Sequence, residues 1–294
     1  FLAESDWIPM PASWSANIVQ GKGYGTLDGD GRWIWEQVVA AAAGVELTHL
    51  ASLYHDDVMD EADVRRGAPS ANAAYGNSTA ILVGDLLFGT ASDIVADLGP
   101  DAVKIQAQTF IRLCSGQIRD DRPCPAGTDP VEYYLGVLAD KTGVLIATAA
   151  RYGAMFSGGD EQTIETMREF GERLGVAFQL ADDLIDIESD ADETGKTPGI
   201  DLREGKRPLP VRHVRAATDP ADARLQALLT GDLSDDDRLA EALTLLRAHP
   251  AVDLAREHTY AVARRAQDAL TALPDSDAKD ALDALATGVV TRVG

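Results

Sequence analysis

Two acidic clusters in this chain share one spacing. Asp56-Asp57-Val58-Met59-Asp60 and Asp182-Asp183-Leu184-Ile185-Asp186 both have the form D-D-x-x-D, and each follows an apolar run of helical character. On an α-helix, residues i and i+4 lie one above the other. Asp56 would therefore project with Asp60, and Asp182 with Asp186. Carboxylates stacked this way repel each other and cost helix stability. Mg²⁺ removes that repulsion, because it is a hard cation that takes oxygen ligands and bridges carboxylates to substrate phosphates. One such cluster is as readily a solvated helix face in a chain with 48 Asp and Glu residues. Two copies inside otherwise apolar helices favour chemistry. Facing each other across a cavity, they would hold several ions and one diphosphate.

The few basic residues gather beside these clusters. Arg65-Arg66-Gly67 follows the first, and two adjacent guanidiniums can grip phosphate oxygens bidentately. Lys141-Thr142-Gly143 sets a cation and a hydroxyl inside another apolar helix, where a lysine is expensive unless an anion meets it. The glycine-punctuated run from Gly195 to Arg207 follows the second cluster and carries Lys196 and Lys206. Each cation alone reads as an exposed, salt-bridging side chain. Their placement shifts the reading toward a Mg²⁺–diphosphate site.

The elements that must position these groups read as helices. Helical periodicity runs over Val38–Met59, Thr79–Leu98, Ala102–Ile118, Pro130–Met155, Gln162–Glu188, Asp236–Ala248 and Val252–Leu273. Asp129-Pro130, Asp219-Pro220 and Asp235-Asp236 are helix-start signals. No run alternates as a strand does. Breakers fall between the helices, at Gly67-Ala68-Pro69, Gly99-Pro100, Pro123–Gly127, Gly158-Gly159 and Pro198-Gly199. The expected organisation is an irregular, Gly- and Trp-containing segment over 1–33, then one all-α domain over 34–294, a helical bundle around a central cavity.

Bulk properties bound the function classes. A chain of 294 residues with 45% hydrophobic content can bury a large core. A net charge of −22 and a pI near 4.4 argue against a nucleic-acid partner. No stretch approaches ~20 uninterrupted apolar residues, so no transmembrane segment is expected. Residues 1–15 carry acidic residues and no basic n-region, unlike a signal peptide. Cys114 and Cys124 alone suggest a reducing, cytoplasmic setting, with Cys114 a small buried residue and Cys124 in a loop.

The chain resembles the trans-type (E) polyprenyl diphosphate synthases from about Val39 onward. The resemblance is carried by the run from His49 to Gly67, Gly84-Asp85, Gly116-Gln117, Lys141-Thr142, Phe178 to Asp183, and the Gly195–Lys206 loop. It implies an all-helical fold with a central cavity, a homodimer, and Mg²⁺-dependent condensation of an allylic prenyl diphosphate with isopentenyl diphosphate. It further implies that Asp56 and Asp60 ligate Mg²⁺ on the allylic diphosphate, with Asp57 supporting them. Asp182 would take the remaining ion, three in all, with Asp183 and Asp186 around it. Arg65 would meet the allylic diphosphate, and Arg66 and His49 isopentenyl diphosphate. Lys141, Lys196 and Lys206 would bind the leaving diphosphate, and Thr142 and Gln179 would line the reacting centre. His49 lies two turns before Asp56 on the same face. Ala51 and Ser52, one turn before Asp56, would leave the product cavity open where bulky aromatic residues close it. Products longer than fifteen carbons are expected.

One departure stands out. The family's early Gly-Gly-Lys-Arg-x-Arg-Pro segment, which binds isopentenyl diphosphate, has no counterpart beyond Gly21-Lys22-Gly23-Tyr24-Gly25. The flanking parts read as abruptly joined, which favours an omitted stretch. Two alternatives share parts of the pattern. A class I terpene cyclase needs no isopentenyl site, but its second metal motif mixes Asn, Ser or Thr with Glu. A regulatory subunit of a heteromeric synthase would be expected to carry degraded acidic motifs.

Overall fold

The structure, a computed structural model, describes residues 32–65, 67–188 and 198–292, with only the backbone of 32–35. Its helices are α1 (Arg32–Met59), α2 (Ala71–Tyr75), α3 (Asn77–Ala96), α4 (Pro100–Asp120) and α5 (Pro130–Leu138). After a π-helical turn at Ala139–Gly143 come α6 (Val144–Phe156), α7 (Glu161–Glu188), α8 (Ile200–Arg203) and α9 (Leu209–Ala216). A 3₁₀ turn at Pro220–Asp222 leads to α10 (Ala223–Thr230), α11 (Asp236–Arg247), α12 (Pro250–Leu270) and α13 (Asp277–Thr291). Chain contacts divide the protein into two compact units, residues 1–112 with 145–168, and residues 113–144 with 169–294.

In the first unit, α1 packs on α3 through small residues. A Cβ on Gly44 would lie 2.6 Å from Val95 Cγ2, and one on Gly84 would lie 2.4 Å from His55 Nε2. Neither approach survives a side chain there. Ala41, Val95, Ala102, Ile105, Tyr152 and Phe156 form a buried cluster. The Tyr152 hydroxyl donates to Ala102 O at 2.7 Å, and burial pushes its pKa up to about 12. α1 ends in a hairpin of two-residue strands, β1 (Val64–Arg65) and β2 (Ala68–Pro69), with Arg65 opposite Ala68. No strand was expected there. The pairing is too short to show alternation, and Gly67 at φ +77° supplies the tight turn.

In the second unit, α5, the end of α7 and α9 bury Val137, Leu184, Ile187, Leu209, Val211 and Val214. Asp129 caps α5, its Oδ1 accepting from Val131 N (2.8 Å) and Glu132 N (2.9 Å). Asp235 caps α11 by accepting from Arg238 N at 3.0 Å. Asp219 starts the 3₁₀ turn, accepting from Ala221 N at 2.9 Å.

Several expectations need correction. Pro130–Met155 is not one α-helix, because the π turn interrupts it. Helical periodicity does not mark α2, α8, α9, α10 or α13, which are short or start in acidic residues. Cys114 is exposed on α4 rather than buried, while Cys124 does lie in a loop. α3 is long and apolar enough by composition to cross a membrane, although Asp85 and Asp93 interrupt it. Segment 1–31, with its Gly21–Gly25 run, lies outside the described residues, and the first helix starts at Arg32 rather than Val38.

Candidate active site

The first cluster sits at the C-terminal end of α1. The helix ends at Met59, yet Asp60 N still donates to Asp56 O at 2.8 Å, so the i, i+4 stacking survives the helix end. Asp56 is half-buried and Asp60 exposed. Asp57 turns the other way and is buried. Arg65 Nε and Nη2 both reach its Oδ1, at 2.7 and 2.6 Å, and Ala71 N–H approaches Oδ2 at 3.5 Å. Arg65, expected on the allylic diphosphate, is thus held by Asp57 in this structure. Arg66 lies outside the described residues. His49 is half-buried on α1, and its carbonyl accepts from Ser52 Oγ at 2.8 Å. Ala51 is 0% exposed, enclosed where α1 meets α3, so of the two small residues Ser52 alone presents surface.

The second cluster lies in the last turns of α7 and repeats this division of labour. Asp182 is exposed, and Arg292 Nη2 lies 3.9 Å from its Oδ1. Asp183 is buried. Tyr134 OH donates a short hydrogen bond to its Oδ2, and Gln179 Nε2 donates to Oδ1 at 3.2 Å. Burial outweighs these donors and pushes the Asp183 carboxyl up to about 8. Asp186 caps α8, whose N-cap Gly199 has no side chain to do so. Its two oxygens accept from Ile200 N and Asp201 N, each at 3.2 Å. Burial, then the nearby Asp201 charge, raise Asp186 to about 6.

The cations come next. Lys206 Nζ lies 3.1 Å from Asp201 Oδ1 and 2.7 Å from Glu204 Oε2. Burial works against its charge, but these carboxylates overcome it and hold the ammonium above the usual lysine range. Lys196 lies outside the described residues. Lys141, which needed an anion, has one, since its Nζ lies 2.9 Å from Asp120 Oδ2. Arg119 Nη1 binds Asp140 Oδ2 beside it at 2.6 Å.

Lys141 and Thr142 ride on the π turn. A Cβ on Gly116 would lie 2.7 Å from Lys141 N, and one on Gly143 2.9 Å from Glu172 O, so bare backbone on both sides lets α4 and α7 close on the turn. A π turn takes up one extra residue and moves the helix phase by about 100°. Thr142, eight residues after Tyr134, thereby returns to the Tyr134 face. Tyr134 meets Asp183 on α7, and Thr142 Oγ1 meets Gln179 Oε1 at 3.2 Å, one turn earlier. The two helices run antiparallel, stitched by Tyr134–Asp183–Gln179–Thr142.

The donor set suits a hard dication. Each cluster by itself offers carboxylate oxygens and no thiolate, the half-buried Asp56 and exposed Asp60 in the first and the exposed Asp182 in the second. Among the described residues no group of three His, Cys, Asp or Glu converges as an all-protein metal cage. Carboxylate oxygens are the ligands that Mg²⁺ takes, together with water and substrate phosphate.

A sequence model described as polyprenyl synthetase matches residues 25–246. The chain belongs to the polyprenyl synthetase family. It is 50% identical over 257 residues to a nonaprenyl diphosphate synthase of Mycobacterium tuberculosis, covering 87% of this chain and 77% of that protein. It is 40% identical over 251 residues to a dimethylallyltranstransferase of the same organism, covering 85% and 76%. The crystal structure of a geranylgeranyl pyrophosphate synthase from Corynebacterium glutamicum, complexed with calcium and isoprenyl diphosphate, superimposes with a TM-score of 0.78. That match has 46% identity and covers 88% of this chain and 78% of the other. This polyprenyl synthetase is therefore a prenyltransferase with the all-α fold expected of it.

Sequence reasoning passed over Tyr134, Asp120, Asp201, Arg212 and Arg292. A signal existed for Tyr134, because a tyrosine in an apolar helix two turns before Lys141 needs a hydroxyl partner. No local pattern announces Arg292, which reaches Phe178 O at 3.2 Å across 114 residues.

Proposed function

We propose that this enzyme condenses an allylic prenyl diphosphate with isopentenyl diphosphate to give a polyprenyl diphosphate longer than fifteen carbons. The observation that carries it is the parallel build of the two clusters. Each central aspartate is locked inward, Asp57 by Arg65 and Asp183 by Tyr134 and Gln179, while Asp60 and Asp182 keep exposed carboxylates. Asp56, Asp60 and Asp182 would hold Mg²⁺, three ions in all. Bound there, Mg²⁺ would neutralise the diphosphate charge that builds as the allylic C–O bond breaks.

The chain's own residues supply the rest. Lys141 and Lys206 stand ready to exchange their carboxylate partners for the departing diphosphate, with Lys196, Arg65 and Arg66 as further cations. His49 and Arg66 would bind isopentenyl diphosphate. Thr142 and Gln179 would line the reacting carbons. The isopentenyl double bond attacks the allylic cation, and the released diphosphate takes the proton. Helix packing that excludes water protects the cation.

A homodimer is supported by the apolar side chains on α3 and α4 that stay exposed, with Leu82 and Leu86 both at 67% and Ile111 at 63%. A cytoplasmic location is supported by the two free cysteines alone.

The test is incubation with labelled isopentenyl diphosphate and each allylic primer, then chromatography of the dephosphorylated products. Mg²⁺-dependent products longer than fifteen carbons are expected, shortened by Ser52→Phe. Turnover indifferent to EDTA, or cyclic hydrocarbon made without isopentenyl diphosphate, would sink the proposal.

A further inference from the structure

Tyr134 is among the most deeply buried polar side chains near the second cluster, yet the reaction above gives it no part. Its ring is 6% exposed, and the Arg212 guanidinium stacks over it at 4.2 Å. Its hydroxyl begins a chain of hydrogen bonds with one sense. Tyr134 OH donates to Asp183 Oδ2. Asp183 Oδ1 accepts from Gln179 Nε2, and with both oxygens accepting, the sense of the chain is that of the ionised carboxylate. With its nitrogen turned to Asp183, the Gln179 amide must present its carbonyl to Thr142. That carbonyl can only accept, so the Thr142 hydroxyl is the donor. The Thr142 proton is thereby spent inside the chain. Toward any further neighbour, the Thr142 oxygen offers lone pairs only. The Gln179 carbonyl carries the negative end of its dipole beside it.

We propose that Tyr134 is a positioning residue for prenyl transfer, fixing through Asp183 the sense of the Gln179 amide and so making Gln179 and Thr142 present oxygen lone pairs to the allylic cation. This rests on the condensation activity proposed above. A flipped amide would turn N–H groups toward positive charge and free the Thr142 proton, and both changes disfavour the cation. Held in advance, the dipoles need no reorganisation as the bond breaks. Substrate diphosphates are gripped elsewhere, so the effect belongs to kcat and not to KM.

Tyr134→Phe keeps the ring and its stacking on Arg212 and removes only the hydroxyl. The purified full-length variant, with Mg²⁺, geranyl diphosphate and isopentenyl diphosphate, is expected to lose about tenfold or more in kcat, with both KM values unchanged within twofold. In a cycle with Gln179→Ala, the double variant is expected to be no slower than Gln179→Ala alone, because Tyr134 acts only through that amide. Should Tyr134→Phe fail to fold, a substitution at Gln179 cuts the same chain one step later. A glutamate there still offers oxygens to Thr142 and the cation, so the variant is Gln179→Leu, which removes the oriented amide and frees the Thr142 proton, and the same kcat loss is expected. Wild-type kcat in the variant that folds, or losses that multiply in the double variant, overturns the proposal. Condensation by the wild type together with either result leaves the enzymatic reading intact. No product from the wild type overturns both.

Discussion

Within each D-D-x-x-D the aspartates are unequal, and the difference is one of burial. Asp57 and Asp183 are 3% and 4% exposed and fully engaged by partners, whereas Asp182 faces water. The two kinds of residue are expected to fail differently. Asp182→Ala is expected to remove nearly all turnover with no loss of thermal stability, because it relieves repulsion in a metal-free helix. Arg65→Ala leaves Asp57 buried against one long amide contact, and an orphaned buried acceptor costs about 1–3 kcal/mol. Urea unfolding and turnover measured on both variants check this. An Arg65→Ala protein as stable as wild type would show that Asp57 does not need its guanidinium. The motifs themselves were legible in the sequence, since spacing alone put Asp56 over Asp60. Their inequality was not. Which carboxylate turns inward depends on Arg65 folding back from a hairpin and on Tyr134 arriving from another helix, and neither contact has a local signature.

Helices were legible where the apolar period was long, and α3, α4, α7, α11 and α12 lie within a few residues of where periodicity put them, while α1 begins well before Val38. The π turn was not, because Pro130–Met155 reads as one apolar run and the inserted residue leaves no mark in composition. The turn packs closely against neighbouring backbone, at Gly116 of α4 and at its own Gly143 against Glu172 of α7, and such tertiary contacts have no local signature. α9 and α12 carry a further consequence. Their histidines His213 and His258 each have an Nε2 that is enclosed without a hydrogen-bond partner. Burial lowers both pKa values. Asp129 opposes this at His213, while Arg265 and His213 reinforce it at His258. The folded state therefore binds fewer protons than the unfolded chain. Their stability contribution is fully present above the unfolded value of about 6.5, and it is lost as pH falls through and below it. The raised Asp183 and Asp186 act in the opposite sense in both proteins, so between about pH 7 and pH 5 the melting temperature is expected to fall less, or rise more, in His213→Gln, His258→Gln than in the wild type. An equal slope in both proteins would assign acid sensitivity elsewhere.

The whole chain carries a net charge of −22 and an apolar face on α3 and α4, and these pull in opposite directions on assembly. Apolar side chains as exposed as Leu82, Leu86 and Ile111 favour self-association through area removed from water, a force that salt does not weaken. Two copies of an acidic chain also repel each other, and that repulsion is screened over a Debye length of about 10 Å at 0.1 M salt, and about 3 Å at 1 M. The proposed dimer is therefore expected to tighten as ionic strength rises, the reverse of an interface held by ion pairs. Leu82→Glu with Leu86→Glu adds charge to the same face and is expected to give monomers at low salt. Sedimentation velocity of both proteins at low and high ionic strength reads each outcome directly. A dimer that loosens with added salt would mean that charge pairs hold it, and a double variant that stays dimeric would move the interface off α3.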